Sequence, residues 1–194
     1  VSTVLTLARR GLVASRRTLI TDAGKATLSA VAVGLIAGCE SMAASSGGGD
    51  PANDVAILNT ALGLEHEAIA AYQVGAESGL LAPEVLKVAV KFQSDHKEHA
   101  EVLTSTIVKL GGEPVMAMTD YGFPVDRLES QADVLRFAAG LEQGAASAYL
   151  GAVPVFENRD LAQAAASIMG AEAQHWTVLL GALGENPVPG AFIA

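Results

Sequence analysis

The sequence has a single cysteine, Cys39, in 194 residues. That excludes an internal disulfide and any metal site built from several thiolates. Charge is scarce too, at 17% of residues, and basic charge scarcer still, with twelve Lys and Arg against twenty-one Asp and Glu. Five of the twelve (Arg9, Arg10, Arg16, Arg17 and Lys25) precede Cys39, opposed only by Asp22. The rest of the chain carries seven basic and twenty acidic residues, a balance of −13. A surface this acidic repels phosphate backbones and anionic headgroups, which argues against nucleic acid or a bare lipid surface as a partner. Long β-branched runs are missing after the leader; alanine takes their place and favours helix over strand. The apolar stretch from Ala26 to Gly38 falls short of the ~20 residues that a membrane-spanning helix needs.

What is there begins with a targeting pattern. Ser15-Arg16-Arg17-Thr18-Leu19-Ile20 is a twin-arginine motif followed by a short apolar region, so residues 1–39 read as a signal peptide. Ile36-Ala37-Gly38-Cys39 resembles a bacterial lipobox, which predicts lipidation at Cys39; the alternative is an ordinary signal peptide cut elsewhere. Residues 40–52, rich in Ser, Ala and Gly, read as a flexible tether. The expected location is the periplasm or cell envelope, with membrane association only through the lipidated cysteine.

From residue 53 to 194, apolar residues recur at three- and four-residue spacing in four blocks, predicting an all-α domain. The first block runs from Asn53 to Glu77 and ends at Ser78-Gly79. The second begins at Pro83 and stops near Leu110, before Gly111-Gly112. The third starts near Ser130, with Asp133 as a capping partner, and runs to Ala152. The fourth begins at Asn158 or Arg159 and ends around Leu183-Gly184. Residues 111–129 show no sustained period. Short, long and short connections predict a four-helix bundle of two antiparallel hairpins joined by one crossover. Met116 and Met118 in the crossover are expected to cover the bundle, having no histidine beside them for haem ligation.

Polar residues interrupt the inward seams. Along the first helix the seam reads Leu58, Leu62, Glu65, Ile69, Tyr72, and along the third Leu135, Ala138, Glu142, Ala145, Tyr149. Both place a tyrosine two turns beyond a glutamate on one face. The second reads Phe92, His96, His99, Leu103, and the fourth Ala165, Ile168, Glu172, His175, Leu179. The hairpins are pseudo-repeats. A buried Glu or His costs several kcal/mol unless paired, hydrogen-bonded or metal-bound. Glu65, His96, His99, Glu142, Glu172 and His175 together resemble the carboxylate-bundle template of two glutamates plus two Glu-x-x-His pairs, and their oxygen and nitrogen donors suit iron, manganese or zinc. Tyr72 and Tyr149 lie where they can support those ligands. The alternative is a metal-free hydrogen-bond network in which Glu65 and Glu142 are satisfied by Tyr149 and Tyr72 or by the histidines. The fourth helix carries Glu172-Ala173-Gln174-His175 intact, whereas the second has His96-Lys97-Glu98-His99, a histidine in place of the bridging acid. Asp95 offers a substitute carboxylate one residue earlier. One ion, an asymmetric pair or none follows. His66, Glu67, Glu98 and Glu101 lie off the seams and are expected at the solvated face, with Trp176 in packing.

Several longer motifs carry a resemblance. Asp54-Val55-x-Ile57-Leu58-Asn59, Leu64-Glu65, Ala71-Tyr72, Tyr121-Gly122-Phe123-Pro124, Leu141-Glu142, Ala148-Tyr149-Leu150-Gly151-Ala152-x-Pro154 and Ala171-Glu172-Ala173-Gln174-His175 are similar to the bacterial and fungal ferritin-like domain family that includes desiccation-related proteins. The tail Pro187-Val188-Pro189-x-Ala191-Phe192 is similar too. The resemblance implies a ferritin-like bundle with metal-ligand candidates at Glu65, His99, Glu142, Glu172 and His175. It implies no defined reaction, and His96 departs from the acid usual there. Two functions stay open: an exported di-iron-type oxidoreductase or stress protein, and a metal-free, non-catalytic envelope protein whose polar core fixes helix register. A closed storage shell fits poorly with an anchored tether, while smaller homo-oligomers fit.

Overall fold

A computed structural model describes residues 51–193. Four helices make up the domain: α1 Pro51–Glu77, α2 Pro83–Lys109, α3 Gln131–Ala152 and α4 Arg159–Ala182. Single 3-10 turns follow at Val125–Arg127 in the crossover and Val153–Val155 after α3. No strand occurs among the described residues, and none of their helices is long and apolar enough to cross a membrane. α1 packs along α2 and α3 along α4, giving the two antiparallel hairpins of a ferritin-like four-helix bundle. The signal-peptide, lipobox and Cys39 readings lie outside the described residues.

The helix boundaries follow local chemistry. α1 starts two residues before the predicted Asn53, because Pro51 in the first turn has no N–H that the helix would miss. Pro83 opens α2 in the same way. Ser130 caps α3 by accepting from the Asp133 amide, and Asn158 caps α4 by accepting from those of Asp160 and Leu161. α2 and α4 close alike. Gly111 and Gly184 take positive φ angles of 79° and 72°. The amides of Gly112 and Glu185 then reach back to the carbonyls of Ile107 and Leu180, each at 2.9 Å.

The crossover is tied down at two points. Asn59 of α1 donates to the Glu113 carbonyl at 3.0 Å and accepts from the Val115 amide at 2.8 Å. Farther on, Tyr121 stacks on Phe123, which meets Phe137 of α3 edge-on. The two methionines do not cover the bundle as predicted: Met116 is 86% exposed and Met118 60%. The Asn59 bonds and the Phe123 contact anchor the residues on either side of them and leave this span facing outward.

Asp54 does more than start a helix. It is buried, and its carboxylate accepts from the amides of Glu157 and Asn158 at 2.9 and 3.1 Å, clamping α1 to the turn that joins α3 and α4. Asp54→Ala leaves both part-buried amides without an acceptor and is expected to lower unfolding free energy by about 2–3 kcal/mol. Urea denaturation reads this directly, and a loss below about 0.5 kcal/mol, the usual range for surface changes, would contradict the clamp.

Candidate metal centre

Two apolar clusters occupy the bundle, one around Leu62, Leu103, Ile107 and Ile168, the other around Tyr72, Phe92, Leu135 and Leu179. Along each helix the polar seam residues fall between them. Glu65 comes from α1, His96 and His99 from α2, Glu142 from α3, and Glu172 and His175 from α4. Glu65, His96, Glu142, Glu172 and His175 are buried, and His99 nearly so. The structure brings all six together.

The contacts cross between hairpins. Tyr149 of α3 donates to Glu65 Oε1 at 2.5 Å, and Tyr72 of α1 donates to Glu142 Oε1. Each tyrosine thus serves the glutamate of the other hairpin and fixes one carboxylate oxygen, leaving the second free to turn inward. His96 sits in the middle, with Nδ1 2.8 Å from Glu65 Oε2 and Nε2 3.2 Å from Glu142 Oε1. His99 Nδ1 lies 3.1 Å from Glu172 Oε1, and His175 Nδ1 lies 3.4 Å from Glu142 Oε2 and 3.6 Å from Glu172 Oε2. Phe92 stacks on the His175 ring with centroids 4.0 Å apart.

Asp95 does not enter this set in place of His96. Its Oδ2 lies 3.3 Å from His175 Nε2, on the far side of that ring from the glutamates, and its other oxygen meets Lys91. One helical turn separates Asp95 from His99, but its imidazole partner is on α4. Of the off-seam residues, Glu98 and Glu101 are exposed, while His66 and Glu67 are half-buried. Trp176 packs beside the Phe92 cluster.

The charges are coupled. Burial pushes His96 toward neutrality, but the carboxylates of Glu142 and Glu65 outweigh it and hold the imidazole up at about 11. Burial is likewise overcome at His99 by Glu172 and Glu65, and at His175 by Glu142 and Glu172, leaving each near 9. Against its own desolvation, Glu65 is drawn down to about 2 by His96 and His99. Glu142 falls below the usual carboxylate range, burial being outweighed chiefly by His175 and His96. Glu172 goes the other way. Burial raises it and the two flanking imidazoles do not compensate. Burial and the adjacent glutamates also push the Tyr72 and Tyr149 phenols well above 10, so both remain donors.

Even with these pairings the cluster is not satisfied internally. His99 Nδ1, Glu142 Oε2, both oxygens of Glu172 and His175 Nδ1 are buried and face one another at 3.1–3.6 Å, but none makes a well-aligned hydrogen bond. All five belong to the six clustered residues, and each can bind a cation through a lone pair once its side chain has given up its proton. Two overlapping groups could each hold a metal ion, Glu65–His96–His99–Glu172 and His96–Glu142–Glu172–His175, with the donor atoms of each group within 4.8 Å of one another. Glu172 and His96 belong to both. The donor set is carboxylate and imidazole only, which fits iron, manganese or zinc.

Two features escaped the sequence reading. Gly140 and Gly144, four apart on α3, line a groove that reaches His96 and Glu142; their spacing was visible, but nothing marked that face as open. A second cavity of about 230 Å³ lies nearer the C-terminal end of α4, walled by residues such as Leu81, Val85, Val134 and Leu179, and meets only Tyr72 of the site.

The comparisons agree with this architecture. The crystal structure of a conserved hypothetical protein, rv2844, from Mycobacterium tuberculosis superposes with a TM-score of 0.63 at 26% identity, covering 73% of this chain and 97% of that one. No curated protein gives a significant sequence match. The ferritin-like domain profile matches residues 53–185, which span all six clustered residues and both tyrosines. With helices, crossover and buried carboxylate–histidine core in agreement, the chain belongs to the ferritin-like domain family.

Proposed function

We propose that this protein is an exported metalloprotein that holds iron, or a similar divalent ion such as manganese or zinc, between its four helices. One observation carries the reading: five buried polar atoms, all on the six clustered residues, face one another at 3.1–3.6 Å without a well-aligned hydrogen bond among them. A metal-free polar core built only to fix helix register would be expected to align such contacts, since a buried polar group without a hydrogen bond costs about 1–3 kcal/mol. An ion would be held by Glu65, His99 and Glu172 or by Glu142, Glu172 and His175, with Glu172 able to serve both places and His96 completing only one of them, because a neutral imidazole has a single lone pair. Tyr72 and Tyr149 keep Glu142 and Glu65 turned inward, and Asp95 orients His175.

A bound iron would supply one-electron chemistry with O2 or peroxide, as expected of an oxidoreductase that protects an envelope from oxidative or desiccation stress. The burial of the site keeps bulky reductants away from it. Export by the twin-arginine route, with an anchor at Cys39, is consistent with loading in the cytoplasm before transport. Metal analysis of protein purified from its own export route, without chelator, is expected to find about one to two equivalents of iron, manganese or zinc per chain. Less than about a tenth of an equivalent at a site of this donor type would overturn the reading.

A further inference from the structure

The ligand set is buried, so an ion must cross the bundle to reach it. The apolar cavity near the end of α4 is a poorer path: Glu84 stands in its wall, but the rest of its lining is apolar apart from Tyr72 and none of the six clustered residues lies along it. The seam between α1 and α3 is different. There a groove of about 200 Å³ runs between Leu64 and Ala68 on one side and Gly140 and Gly144 on the other. His96 and Glu142, members of the ligand set, lie along it, and Glu142 Oε2 makes no aligned hydrogen bond, its imidazole neighbour His175 Nδ1 being 3.4 Å away. Glu67, half-buried on α1, also lines it and gives an arriving cation a carboxylate before the ligands.

We propose that this groove between α1 and α3 is the route by which a divalent cation enters the buried cluster, with Glu67 as the carboxylate it meets on the way. The proposal rests on the metal-binding reading above. The two glycines set the width. A Cβ built at either position meets nothing within 4 Å, so a larger side chain would occupy the groove without displacing the core. Replacing a helical glycine also raises helix propensity, so blocked variants are expected to fold.

The test separates the rate of loading from its end point. Metal-free protein is mixed with Co²⁺, and uptake is followed by the visible absorption of the bound ion. The double variant Gly140→Leu with Gly144→Leu is expected to load at least about ten-fold more slowly, yet to reach the wild-type stoichiometry and affinity. Glu67→Gln is expected to slow loading about two-fold, more so at low ionic strength, because it removes an attracting charge and no ligand. The control is Gly170→Leu on α4, where a Cβ also meets nothing within 4 Å and which lies outside the groove. Wild-type loading rates in the double variant, or equal slowing by Gly170→Leu, would overturn the route. If the wild type binds no Co²⁺ at equilibrium, the metal reading itself fails and the route falls with it.

Discussion

His96→Glu is expected to make the protein fragile without metal and robust with it. In the metal-free core His96 is an imidazolium held between Glu65 and Glu142, so it acts as a resident cation. The substitution removes that positive charge and adds a fourth carboxylate, leaving only His99 and His175 to balance them. Stripping the partner from a buried ion pair destabilises by about 3–5 kcal/mol, and the metal-free variant is expected to lose about that much. The same change restores an acid at the position where the carboxylate-bundle template has one. Two ions at about a thousand times their dissociation constants would return about 4 kcal/mol each. Melting curves with chelator and with Mn²⁺ should therefore move far apart in the variant and only modestly in the wild type. A metal-free variant within about 1 kcal/mol of wild type would mean that His96 merely packs.

The metal-free and metal-loaded forms are expected to respond to pH in opposite directions. Without metal, the raised pKa values of the three histidines contribute stability that is complete below about 6.5, their ordinary value. It is lost as pH climbs through about 9 for His99 and His175 and about 11 for His96. Glu172, also raised, adds to the decline above its ordinary 4.5. At the acid end, the lowered pKa of Glu65 contributes stability that is present above 4.5 and lost as pH falls through about 2. The metal-free protein should be most stable near pH 4.5, decline gently toward 6.5 as Glu172 gives up its contribution, and weaken more steeply to pH 9. Metal binding requires the imidazoles to shed those protons, so affinity should rise by up to about ten-fold per pH unit for each proton displaced. Melting temperatures at pH 6, 7.5 and 9, with chelator and with saturating Mn²⁺, should diverge. Parallel curves would show that the cation does not replace the protons.

The fold was legible because its punctuation is local. Pro83, Ser130, Asn158, Gly111 and Gly184 act through chemistry contained within one turn, and the helices begin and end beside them. The six core residues were legible because a helix carries the residues of one seam to the same side, so spacing alone put Glu65 over Tyr72 and Glu172 beside His175. Partners across the bundle were less visible. That each tyrosine would reach the other hairpin's glutamate was only one of several pairings open to the sequence, and that Asp95 would turn to His175 rather than His99 depends on the rotation of α2 against α4. Met116 and Met118 misled for a related reason: an apolar side chain in a long connection is expected inward, but Asn59 and Phe137 decide which part of the crossover lies against the bundle.

The reciprocal bonds of Tyr72 to Glu142 and Tyr149 to Glu65 are those a two-fold axis would generate between two copies of one helical hairpin. Such a homodimer would place the same residue at both symmetry-related positions, either two histidines or two glutamates. Joining the halves in one polypeptide lifts that constraint. His96 and Glu172 occupy equivalent places and differ, one bringing its own positive charge and the other waiting for one to arrive. The long crossover is thus more than a tether between hairpins, because covalent fusion allows two neighbouring sites under one pseudo-dyad to be chemically unequal.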